Sequence, residues 1–135
     1  SLAGASQDIA HPTYKSASKH LEALLQQYNN IVYVSGHEQS LQHIEKDGVN
    51  YIVSGTGSKG SYVRDGQHAK YVSNSKGFSK IIYQKSGERN VEFWAADETS
   101  SEGEKIYEGL LYEETKVKAE KEDYSRPAFK EESIE

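Results

Sequence analysis

Ile31-Val32-Tyr33-Val34-Ser35-Gly36-His37-Glu38-Gln39-Ser40 decides how this chain is read, together with its echo Asn50-Tyr51-Ile52-Val53-Ser54-Gly55-Thr56-Gly57-Ser58. Each is a short, unbroken apolar run closed by small residues, the pattern of a buried strand whose end lets other backbone come close. Between them Lys46-Asp47-Gly48-Val49 carries the Asp-Gly pair of a tight hairpin turn, so residues 41–45 and 50–54 are expected to pair antiparallel. Residues 31–35 and 50–54 are expected to be neighbouring buried strands. The loop bearing His37 then lies at a strand end, where sites are commonly built.

Working outward, Pro12 opens a helix on which Ala17, Leu21, Leu24, Leu25 and Tyr28 share one face, and Asn29-Asn30 stops it. Downstream, further strands are expected at 69–73, 78–84, 91–96 and 105–112. They are separated by turn chemistry at Asp65-Gly66, Ser86-Gly87 and Glu102-Gly103. The fold class is α/β, or α+β for this portion taken alone: one helix followed by a mostly antiparallel meander of about seven strands. Ten Tyr against three Phe and one Trp suit half-buried sheet surfaces. From Glu113 onward charge of both signs dominates and Pro127 interrupts any helix, so 113–135 reads as a linker or docking tail with Val117, Tyr124, Phe129 and Ile134 as its few apolar anchors.

Composition excludes several functions. A net charge of −5 argues against a phosphate-backbone binder, so nucleic acid is not an expected partner. With no Cys there is no thiolate nucleophile, disulfide or Cys metal site. No apolar run approaches the roughly 20 residues of a membrane-spanning helix. With no Met, Ser1 is expected to lie inside a longer polypeptide. Gly55-x-Gly57-x-x-Gly60 formally matches a dinucleotide fingerprint, but Ser61 to Gly66 reads as strand and turn where a helix would have to open. Ser54, Ser58 and Ser61 lack a readable histidine and acid, so no serine-hydrolase triad is expected. His11, His20, His43 and His68 are scattered, without ligand spacing, and read as surface or hydrogen-bonded residues. Trp94 reads as core or sheet surface.

The pairing of Gly36-His37-Glu38-Gln39 with Ser54-Gly55-Thr56-Gly57-Ser58 resembles the C-terminal signature of calcineurin-like metallophosphoesterases of the purple acid phosphatase type, Gly-His-x-His followed by a strand ending in Ser-Gly-x-Gly-Ser. The resemblance spans residues 6–112 and implies that 1–112 is the C-terminal half of such a domain. The N-terminal half, with its paired-Asp and Gly-Asn-His motifs, would then be a separate partner segment. In that family two divalent cations (Zn, Mn or Fe) about 3.5–4 Å apart activate a bridging water for attack at phosphorus. His37 and Gln39 fall on the two metal-ligand positions, and Gln39 replaces the second imidazole with a poorly basic amide oxygen. The implied function is phosphate-ester hydrolysis in the complete domain through a degenerate metal motif, this chain alone being inactive. The alternative is a non-catalytic docking or structural module of a periplasmic or cell-surface assembly. Ser6-Gln7-Asp8-Ile9-Ala10-His11-Pro12 with the strand and loop that follow is similar to a Bacteroidetes branch in which the domain precedes an outer-membrane barrel of the Omp85 type. That would make the barrel a partner and the location outer-membrane associated.

Overall fold

A computed structural model describes residues 11–57, 66–97 and 99–113. Its elements run α1 (Pro12–Leu25), β1 (Val32–Ser35), β2 (Leu41–Lys46), β3 (Val49–Ser54), β4 (Ala69–Ser73), β5 (Gly77–Tyr83), β6 (Arg89–Ala95) and β7 (Glu104–Tyr112). One helix and seven strands are thus borne out as an α+β portion. The strands form two sheets rather than one continuous meander. The first is mixed, in the order β1-β3-β2-β4, and the second is the antiparallel meander β5-β6-β7.

The β2–β3 hairpin forms where Asp47-Gly48 demands it. Both residues sit at positive φ (51° and 77°), the backbone of a type I′ turn, and the register runs from Lys46 opposite Val49 to Leu41 opposite Ser54. β1 joins the far side of β3 in parallel, Val32 opposite Asn50. Pro12 occupies the start of α1, and His11 caps it by accepting from the Thr13 amide through Nδ1 at 3.4 Å. The chain leaves the helix through Asn30 at φ 58°.

Strand parity puts Leu41, Ile52, Val91, Phe93 and Leu111 between the sheets as the core, with Val32, Tyr71, Ile81, Ile106, Tyr107 and Tyr112 packed around them. Each such side chain contributes about 1.5–3 kcal/mol on burial. The expectation that residues 31–35 are buried needs correction, because β1 is an edge strand and Val34 is 50% exposed. The apolar stripe of α1 buries no residue, and Leu24 and Tyr28 stand largely in solvent. The helix is held to the hairpin by Lys46 Nζ on Glu22 Oε2 (2.7 Å) and by Gln26 Nε2 donating to Asp47 Oδ2 (3.2 Å). Residues 58–65, where strand and turn are expected, and residues 114–135 of the charged tail lie outside the described residues.

Candidate functional site

At the carboxyl ends of the parallel pair β1 and β3, residues 36–40 fold into a tight loop. The Glu38 amide donates to Gly36 O at 2.9 Å and the Ser40 amide to Glu38 O at 2.7 Å. His37 occupies this loop at φ 71°, an uncommon conformation for a residue with a Cβ, and its side chain is exposed. Gln39 follows, half-buried. The loop is clamped from β3: the Gly55 amide donates to Ser40 O at 3.0 Å, and a Cβ at Gly55 would lie 1.7 Å from Glu38 O. Only glycine fits there. The crevice outside the carboxyl ends of parallel strands is where open α/β sheets bind ligands, and the loop of His37 lies at such an end. Among the described residues no group of three or more His, Cys, Asp or Glu side chains comes together.

The polar chemistry that the chain does assemble lies elsewhere, between the sheets. His43, on β2, is buried beside Leu41 with the same inward parity. Asn50 Nδ2 donates to Leu111 O at 3.0 Å, which turns Asn50 Oδ1 toward His43 Nε2 at 2.7 Å. Since that oxygen only accepts, Nε2 carries the proton. Nδ1 of the neutral ring is then the acceptor for the Tyr107 hydroxyl at 2.9 Å. The result is a one-way chain of hydrogen bonds, Tyr107 to His43 to Asn50 to the Leu111 carbonyl, joining β7 to β2 and β3. Burial holds the His43 pKa below its ordinary value, which favours the neutral ring that this chain requires. Burial likewise raises the Tyr107 hydroxyl and keeps it a donor. The Tyr107 ring stacks on Tyr71 (centroids 4.3 Å apart, 14° between planes) and tilts against Phe93 and His43.

A second seam binds the open end of the sandwich. The Arg89 guanidinium lies over the rings of both Tyr83 and Tyr112, 5.2 and 5.8 Å from their centroids, and donates to Asn30 O at 2.8 Å. The Tyr112 hydroxyl reaches the carbonyls of Ile31 and Gly48. Neither seam was identified from sequence. For His43 the signal was present in its parity with Leu41 inside a strand; Asn50 and Tyr107 are non-local partners that no local pattern marks. The remaining histidines are placed as expected: His11 caps the helix, His20 bonds Ser16 O on the surface, and His68 is exposed. Trp94 lies on the sheet surface, with its indole donating to Glu92 Oε2 at 2.8 Å.

The outer face of the second sheet is the molecule's other notable surface. The pairings Phe78 with Trp94, Ile82 with Asn90 and Asn90 with Leu110 put these residues on the side away from the core. Phe78 and Leu110 are 54% and 48% exposed. Across the middle run Lys80, Lys105 and Glu108 around the Glu92 carboxylate.

No family model matches the chain, and no curated protein matches it. Among solved structures it is similar to GAP50, described as the anchor in the inner membrane complex of Plasmodium, with a TM-score of 0.60 and 24% identity over 72% of this chain and 30% of that one. The identification as the C-terminal half of a calcineurin-like metallophosphoesterase, and its narrowing to a Bacteroidetes branch fused to an Omp85-type barrel, are corrected by this finding. The likeness falls on a membrane-complex anchor, and none of the comparisons carries the barrel fusion. Among the described residues no helix is long and apolar enough to cross a membrane. The likeness is one of fold, and the chain spans about a third of the length of the anchor it matches.

Proposed function

We propose that this chain is a non-catalytic docking or structural portion of a larger protein that works in a membrane-associated assembly. The observation that carries the reading is the likeness in fold to a protein described as an anchor. The chain's own chemistry supports it. The buried imidazole has both ring nitrogens engaged in tying the sheets together, and the outer face of the second sheet presents Phe78, Trp94, Ile82 and Leu110 between paired charges. Exposed apolar side chains gathered on one face, with the charges between them already paired, are what a partner can cover.

The test uses the longer protein with Phe78→Lys and Leu110→Glu. Both positions are exposed, so the thermal midpoint should stay within a few degrees, while sedimentation of the detergent-solubilised assembly should shift from complex to free protein. An unchanged sedimentation profile would remove the docking face. Hydrolysis of p-nitrophenyl phosphate by the longer protein with Mn²⁺, Zn²⁺ or Fe, lost in His37→Ala, would overturn the non-catalytic reading.

A further inference from the structure

Among the described residues the two sheets have four edge strands, β1 and β4 in one, β5 and β7 in the other. An edge strand offers unpaired backbone groups to any passing strand, and proteins discourage this with charge, proline, bulges or brevity. Three of the four are guarded. β4 carries Lys70 and pairs through a register break at His43/Ile44. β5 carries Lys80, and β7 carries Glu104, Lys105 and Glu108 with two register breaks against β6.

β1 has brevity alone, at four residues. It reads Val32-Tyr33-Val34-Ser35, with no charge and no proline, in unbroken parallel register with β3. The Asn50 amide donates to Ile31 O at 3.2 Å while Val32 stands opposite Asn50, so the odd-numbered residues turn their amides and carbonyls to β3. Val32 and Val34 therefore point theirs at the free edge. On the core side Val32 packs against the buried cluster, whereas Val34, two residues on along the same face, is half exposed. Parallel strands of this apolar type belong inside a sheet, not at its margin.

We infer that β1 is an interior strand, and that a strand from another part of the same longer polypeptide hydrogen-bonds the outward N–H and C=O groups of Val32 and Val34. The same polypeptide is the occupant because the like-folded protein is much larger than the portion matched here: 72% of this chain accounts for 30% of that one. A second copy fits poorly. Twofold pairing of one edge with itself is antiparallel, and four residues supply too few bonds to hold two chains together. The inference is independent of the docking reading and holds for an anchor or an enzyme alike.

Residue-resolved amide exchange on the 135-residue chain and on the longer polypeptide tests it. The Val32 and Val34 amides should exchange near the free rate in the first and on the order of a hundredfold more slowly in the second, while Tyr33, bonded to β3, is slow in both. Fast exchange in the longer polypeptide would overturn the inference. So would protection in the 135-residue chain at high dilution, or protection that tracks its concentration as a dimer would require. Val34→Pro is the second measurement, since it deletes only an outward amide. It should leave the melting point of the short chain nearly unchanged and lower that of the longer one; equal losses in both would also refute the pairing.

Discussion

Asn50→Ala isolates the seam between the sheets. Asn50 is 2% exposed, accepts from His43 Nε2 at 2.7 Å and donates to Leu111 O at 3.0 Å. Alanine leaves two buried groups without partners, an imidazole N–H and a backbone carbonyl, each costing about 1–3 kcal/mol. Over the two groups a loss of about 3 kcal/mol is expected. For a domain of this size that corresponds to a fall in melting temperature on the order of 15 °C. The assay is urea unfolding at pH 7.5, followed by circular dichroism, with His43→Leu and the double variant His43→Leu/Asn50→Ala alongside. Removing both partners together leaves only the Tyr107 hydroxyl and the Leu111 carbonyl to be satisfied, so the double variant should lose less than the sum of its singles by about 1–3 kcal/mol. Because the folded His43 pKa lies below its ordinary value of about 6.5, the seam contributes fully above that pH and weakens as pH falls through the depressed value. An Asn50→Ala loss below about 1 kcal/mol, or additive effects in the double variant, would refute the directed hydrogen-bond chain.

Gly55→Ala should cost more than about 2 kcal/mol, because its Cβ meets the Glu38 carbonyl, whereas Gly57→Ala, with nothing within 4 Å among the described residues, should fall within about 0.5 kcal/mol of the parent in the same urea series. The Glu92 carboxyl is held below its usual range first by the Trp94 indole and then by Lys105 and Lys80, so its contribution is present above the ordinary carboxylate pKa and lost as pH falls through the lowered value. Glu92→Gln is therefore expected to flatten the acid limb of a pH series of urea midpoints and to shift the Trp94 emission; an acid limb identical to the parent's would show that this cluster is not coupled to folding.

The hairpin was legible because its cause is local: Asp47-Gly48 alone accepts the two positive φ angles, and the flanking alternation fixes the register. The strand positions after residue 68 were legible for the same reason. The partition into two sheets was not, since it depends on where strands travel after each turn. One part of that is visible only in three dimensions: a Cβ on Gly77 would lie 2.0 Å from Trp94 O, so glycine there lets β5 lie tightly on β6 at its start. The run at 31–35 promised burial by its apolarity, and its place at the margin of the described sheet leaves Val34 half exposed. The exposed loop position of His37 could be read from the strand end it follows. The inward side of His43 was marked by its parity with Leu41, but its partners were not, because an imidazole in a strand looks the same whether they are nearby or 64 positions away.

Those separations bear on how the molecule is made. His43 and Asn50 find Tyr107 and the Leu111 carbonyl only 61 to 64 residues later, and the Tyr112 hydroxyl closes on Ile31 across 81. At 5–20 residues per second of synthesis, the β2–β3 hairpin would emerge from the ribosome roughly 3–12 s before its polar side chains could meet their partners on β7. During that interval the hairpin carries an uncovered imidazole and amide on its inner face, which keeps the nascent surface hydrated and discourages premature collapse. Only with the arrival of β7 can the imidazole and the amide complete the hydrogen bonds that let them stay dry.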